Sequence, residues 1–202
     1  MMRWLDFLFP PRSDEEILRS VSSDAFLEKV APRRIMETRP ETVALLPFSA
    51  ASVRAAVHEA KYHGSAYARG LLSAALMEYL QDADDGFRRP VIVPVPLGKA
   101  RRKERGFNQV EEIVRAAAQK LGVPIDAELL ARTRETASQV SLPRAARLEN
   151  MRGAFSALRP CDSSRTYILV DDVVTTGATL QAAIDALRDA GAEHIVPLAL
   201  AH

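Results

Sequence analysis

The span Tyr167–Leu180 constrains this chain more than any other. An apolar run from Tyr167 to Val170 ends in two adjacent carboxylates, Asp171 and Asp172. Val173, Val174, Thr175, Thr176, Gly177, Ala178 and Thr179 follow; Leu180, Ala183, Ile184 and Leu187 then recur at helical spacing as far as Gly191. The apolar run fits a short strand covered on both faces, and Gly191 is placed to end the helix. His194 to Leu200 reads as another buried strand. A strand, a helix and a second buried strand form a β-α-β unit, whose parallel strands need such a crossover. The sequence therefore predicts an α/β fold with a central, mostly parallel sheet flanked by helices. Ligands in such sheets sit beyond the carboxyl ends of the strands, where Asp171 to Thr179 falls.

The residue types in that loop point to a specific chemistry. Gly177 lets the backbone turn tightly and approach a ligand with no Cβ in the way. The N–H groups from Thr176 to Thr179 have no helical acceptor and sit at a positive dipole end, so a phosphate can take their bonds. Thr175, Thr176 and Thr179 add hydroxyl donors. Asp171 and Asp172 repel phosphate. Ionised carboxylates accept hydrogen bonds, so the pair suits vicinal ribose hydroxyls or hydrated Mg²⁺. Acidic acceptors beside an anion nest describe a sugar phosphate held at both ends. Each feature taken alone is satisfied by a capped turn or a capped helix.

A second strand-loop-helix crossing lies upstream. Val91 to Pro96 reads as a strand that ends or bends near Pro94, because proline removes ladder bonds. A basic loop, Leu97 to Gly106, carries Lys99, Arg101, Arg102, Lys103 and Arg105. Phe107 to Leu121 follows as a helix with Val110, Ile113, Val114 and Ala117 inward. If the two strands are parallel neighbours, both loops open on one edge of the sheet. Two phosphates leaving together as pyrophosphate need several cations, and arginine grips them bidentately.

The rest of the chain sets bounds. Its 202 residues and 48% hydrophobic content fit one globular domain of residues 46–202 with an N-terminal appendage, residues 1–45. Net charge is +1, yet Lys99 to Arg105 holds +4 and Arg132 to Arg152 holds +3, leaving −6 elsewhere. Few aromatics lie among those cations, so stacking on nucleic-acid bases is poorly served and direct nucleic-acid binding is disfavoured. The single Cys161 excludes an intramolecular disulfide and points to a reducing compartment, the cytoplasm. No apolar run is long enough to span a membrane. The short apolar stretch Met1 to Phe9 reads as a segment docked on the core. Residues 10 to 41 carry one or two short helices, and two further helices are predicted over Val53–Ala60 and Tyr67–Gln81.

Val170 to Thr179 resembles the 5-phosphoribosyl-1-diphosphate (PRPP) loop of type I phosphoribosyltransferases. The stretches Pro94 to Leu97 and Arg105 to Gln109 resemble a narrower group, the competence-associated ComF family. Val53 to Gly64 and Arg132 to Phe155 are similar to the first helix and the middle segment of that family. The resemblance runs from about residue 44 onward, and the Arg105-Gly106-Phe107-Asn108-Gln109 element is its most distinctive part.

That resemblance implies the type I phosphoribosyltransferase fold and transfer of a phosphoribosyl group to a nitrogen nucleophile, with release of pyrophosphate. It implies catalytic roles for Asp171, Asp172 and Arg105. Substrate contacts fall to Val173–Thr179, to Lys99, Arg101, Arg102 and Lys103, and to Arg144 and Arg147 of a polar segment that closes as a lid. Asp171 and Asp172 hold Mg²⁺ through water or ribose. It also implies an alternative, a catalytically silent PRPP-binding factor for DNA uptake that acts through a helicase-type partner. A homodimer is left open. The chain departs from the family at two places. Residues 10–45 contain no cysteine where the family has a four-cysteine zinc module, and His58, His63, His194 and His202 lack ligand spacing, so no zinc is expected. Thr175 and Ala178 stand where purine-salvage members of the fold resemble one another in having Asp and often Lys, which disfavours a 6-oxopurine acceptor.

Overall fold

The structure, a computed structural model, describes residues 12–83, 86–134 and 144–202. Two short helices come first, α1 (Ser13–Arg19) and α2 (Ser23–Leu27), then strands β1 (Arg33–Ile35) and β2 (Thr42–Leu46). Helices α3 (Ala51–Tyr62) and α4 (Ala66–Asp82) lead to β3 (Val91–Pro94). Helices α5 (Lys99–Arg105) and α6 (Gln109–Leu121) follow, then β4 (Leu130–Arg132), α7 (Arg144–Met151) and β5 (Phe155–Ala157). Strand β6 (Thr166–Val173), helix α8 (Ala178–Asp189) and strand β7 (His194–Ala201) complete the order.

The central sheet has five strands in the order β1-β2-β7-β6-β3, while β4 and β5 pair antiparallel as a separate ribbon. Pairings β2–β7, β7–β6 and β6–β3 are parallel, and only the edge strand β1 runs antiparallel. The sheet is buried on both faces, as its near-continuous apolar strands require. Alternation along β6 divides its side chains between two cores. Ile168 and Val170 join α3, α4 and α6, with Leu18 and Phe26 of the first two helices. Tyr167 and Leu169 join α8, the β4–β5 ribbon and Met151 at the end of α7. The result is three layers, helices on each side of a sheet. Among the described residues, no helix is long and apolar enough to cross a membrane.

Three sequence expectations are corrected. The boundary at residues 45 and 46 falls inside β2, which is paired with β7 in the interior of the sheet, so Arg33 to Leu46 builds the sheet and is no appendage. The predicted basic loop is largely helix α5. Lys, Ala, Arg and Glu are strong helix formers, and Gly106, at φ 77°, closes the turn. The polar stretch after Arg132 is no single long loop, because α7 lies within it and β4 and β5, at its two ends, pair with each other. The expected docking of Met1 to Phe9 and the core of the expected lid, residues 135–143, lie outside the described residues, as do the side chains of Arg144 and Arg147.

Candidate functional site

Parallel pairing of β3 with β6 brings the two loops together. Pro94 is in register with Val170, and Val95 N donates to Val170 O at 2.8 Å. Both strands end at the same edge of the sheet. Strand β6 runs through Asp171 and Asp172, further than its apolar run, so both carboxylates are carried by the strand. Beyond that edge lies a cavity of about 480 Å³, with Asp171 and Asp172 facing Arg101 and Arg105. Lys61, Tyr62, Glu104, Gln109, Arg132 and Thr179 complete its polar wall. A smaller hollow of about 30 Å³ lies inside the turn from Val173 to Leu180. Asp171, Val173 and Thr179 line both spaces, so the carboxylates stand between the basic wall and the threonine loop. Another hollow of about 520 Å³, beside β5 and the end of α8, holds none of these residues.

The threonine loop has the form that its chemistry requires. Gly177 is the N-cap of α8 with φ 73° and has no side chain to cap the first-turn N–H groups. The loop is also packed: a Cβ at Gly177 would lie 2.9 Å from Glu37 Cβ and 3.0 Å from Thr38 Cγ2. Arg39 N donates to Gln181 Oε1 at 2.7 Å and pins the β1–β2 turn to the first turns of α8. Val174 and Ala178 are buried in the core, so they serve the loop through their backbone. Thr175 is exposed, and Thr176 and Thr179 are half-buried.

The carboxylate pair is organised by local and distant groups. Each turns back on the next amide: Asp172 N donates to Asp171 Oδ1 at 2.9 Å, and Val173 N to Asp172 Oδ1 at 2.6 Å. Asp172 Oδ2 accepts from Gln109 Nε2 at 2.6 Å and lies 2.9 Å from Lys61 Nζ. Burial, and then the neighbouring Asp172 charge, push the Asp171 carboxyl up to about 7, against the bond from the Asp172 amide and the pull of Lys61 and Arg132. Two adjacent oxygen-only groups, one of them raised by the charge of the other, are a donor set that a hard divalent cation fits. Asp171 and Asp172 would hold Mg²⁺.

Helix geometry sorts the predicted cations. Arg101 and Arg105, one turn apart, share the face of α5 that lines the cavity. Lys99, Arg102 and Lys103 are exposed on other faces and are not brought to it. The Arg105 guanidinium lies 5.0 Å from the centre of the Tyr62 ring and donates to Gln109 Oε1 at 3.1 Å. Lys61, Gln109 and Arg132 all lie within segments that carry the family resemblance, but none stood out as a ligand, because nothing local marks them. They come from α3, α6 and β4, and only tertiary packing unites them.

One further cluster lies at the end of α3. The ligand atoms of His58, Glu59 and His63 lie within 4.8 Å of one another. Glu59 is buried, and both its oxygens accept from Arg12, at 2.9 and 2.7 Å; His58 Nδ1 lies 2.8 Å from Asp14 Oδ2. The guanidinium and the burial act in opposite senses on Glu59, and its carboxyl sits below the usual range because the Arg12 bonds dominate.

The chain is similar to several known proteins. Residues 111–201 match the family model of the phosphoribosyl transferase domain. The DNA utilization protein YhgH of Escherichia coli (strain K12) is 36% identical over 127 residues, covering 61% of this chain and 56% of that protein. Competence protein ComFC of Streptococcus pneumoniae is 31% identical over 140 residues, covering 69% of this chain and 59% of that protein. The chain thus spans less than two thirds of the length of these relatives. Among solved structures, glutamine PRPP amidotransferase from B. subtilis aligns with a TM-score of 0.46 and 18% identity, over 70% of this chain and 30% of that one. Through the transferase domain at residues 111–201 and these relatives, the chain is similar to the ComF-type phosphoribosyltransferase-like family.

Proposed function

We propose that the chain binds PRPP at the edge shared by β3 and β6 and transfers its phosphoribosyl group to a nitrogen nucleophile. One observation carries the reading: an acidic pair lines a cavity with Arg101, Arg105 and Lys61, and Asp171 of that pair also lines the hollow of the threonine turn. In that frame the 5′-phosphate takes the N–H groups and hydroxyls of Thr175 to Thr179. The ribose hydroxyls meet Asp171 and Asp172. Pyrophosphate faces Arg101, Arg105 and Lys61. Magnesium bound at the acidic pair supplies charge neutralisation for the phosphate oxygens.

In the reaction the bond from ribose C1 to the pyrophosphate oxygen breaks, and pyrophosphate leaves with the electron pair. A bond forms from C1 to the nucleophilic nitrogen, which gives up a proton. Charge builds on the leaving oxygen as positive charge builds on the ribose. Arg101 and Arg105 are fixed where the first develops, and the carboxylates where the second does. Arg144 and Arg147 are proposed to meet phosphate from α7. PRPP-dependent pyrophosphate release with ammonia or a nucleobase panel tests this reading. Release that depends on the nucleophile and is lost in Arg105→Ala supports it; PRPP that stays intact with every nucleophile contradicts transfer.

The second reading keeps the ligand and drops the chemistry. The printed names of the relatives concern DNA utilization and competence. They support a role in DNA uptake, and in this reading the chain is a PRPP-binding factor that acts through a helicase-type protein partner. Thr175, exposed and uncharged at the acceptor side, favours it. PRPP binding without turnover, together with a partner whose affinity changes when PRPP is present, separates this reading from the first.

A further inference from the structure

Gln109 joins the two halves of the site. It is buried, with 1% exposed, and both ends of its amide are engaged. Nε2 donates to Asp172 Oδ2 on the proposed ribose side, and Oε1 accepts from Arg105 on the proposed pyrophosphate side. Chemistry fixes this orientation, because a carboxylate only accepts and a guanidinium only donates. The residue before it holds the bridge in place. Asn108 Oδ1 accepts from Val110 N, and Asn108 Nδ2 donates to Val95 O, both at 3.1 Å, tying the start of α6 to the end of β3. A glutamate at 109 would keep the acceptor for Arg105 and set a second carboxylate against Asp172. A leucine would fill the space and bridge neither group. An amide of this length does both.

We propose that Gln109 is a positioning residue that couples the two halves, so that pyrophosphate and ribose 5-phosphate bind cooperatively. The inference rests on the PRPP reading above. A pyrophosphate that holds Arg105 also orders the Gln109 amide and, through it, Asp172. Ribose 5-phosphate then meets a carboxylate whose ordering has already been met, and its affinity rises. Coupling of this kind is reciprocal, so ribose 5-phosphate tightens pyrophosphate by the same factor.

Calorimetry on the full chain with Mg²⁺ tests it, titrating ribose 5-phosphate alone and again at saturating pyrophosphate. In the wild type, pyrophosphate tightens ribose 5-phosphate about tenfold. In Gln109→Leu that enhancement disappears, whatever the change in the affinity of each fragment alone, because the ratio of the two titrations reads the coupling. Gln109→Glu, which keeps only the Arg105 arm, loses the enhancement too and serves if the leucine variant does not fold. Two results overturn the proposal: fragments that bind the wild type independently, or variants that weaken both fragments with the enhancement intact, as a merely structural residue would. A wild type that binds neither fragment removes the PRPP reading itself.

Discussion

Lys61 Nζ lies 2.9 Å from Asp172 Oδ2, joining the last turn of α3 to the end of β6. This positive charge stands beside an acidic pair whose other member, Asp171, has its carboxyl pushed up to about 7 by burial and by Asp172. An unfolded Asp titrates near ~3.9. Between those values the folded chain holds a proton that the unfolded chain has released. The contribution of Asp171 to stability is therefore full below about pH 4 and is lost as pH rises through about 7, by at most about 1.4 kcal/mol per pH unit. Asp171→Asn removes this slope and is more stable than the wild type at pH 8 in the absence of ligand. Lys61→Met, which loses a charge that holds the Asp171 value down, moves the midpoint upward. Urea midpoints at pH 5 and pH 8 decide the matter, and a slope that persists in Asp171→Asn contradicts it.

Helix α5 gives a prediction with an internal control. Arg101 and Arg105 line the cavity, whereas Lys103 is exposed on another face. Arg105→Ala weakens pyrophosphate binding by about 2 kcal/mol, a loss typical of a charge-assisted bond. Lys103→Ala changes it by only a few tenths, because the charge acts through water and salt. Equal losses in the two variants would mean that the helix attracts anions only by its net charge.

Gly177 should not tolerate a side chain. Its φ of 73° penalises any Cβ, and that Cβ would meet Glu37 Cβ at 2.9 Å. Gly177→Ala costs about 2–3 kcal/mol, combining backbone strain with displacement of the β1–β2 turn. Chemical denaturation measures this. A variant as stable as the wild type would mean that the loop relaxes freely.

What the sequence showed and what it concealed divide along a physical line. Asp171 to Thr179 was legible because strand, turn and helix cap are local, written in adjacent residues. The juxtaposition of this loop with the basic segment followed from β-α-β topology, and the register of Pro94 with Val170 meets it. Helix α5 was hidden beneath its own charges: Lys99 to Arg105 reads as a phosphate loop by charge and as a helix by propensity, and propensity prevails between two glycines. Strand β2 is five residues long and polar at its start, too brief to stand apart from the linker. Lys61, Gln109 and Arg132 reach the site from three separate elements. Their roles depend on distances that no spacing in the chain encodes. His58, Glu59 and His63 likewise come together through rotamers and not through a ligand pattern.

The central claim is that the acidic pair and the threonine loop bind PRPP with Mg²⁺. Calorimetry of PRPP, with and without Mg²⁺, on the wild type and on Asp171→Asn/Asp172→Asn tests it most directly. The account predicts Mg²⁺-dependent binding in the wild type and its loss in a double variant that still folds. Wild-type protein that fails to bind PRPP, or a double variant that binds it unchanged, would contradict the account.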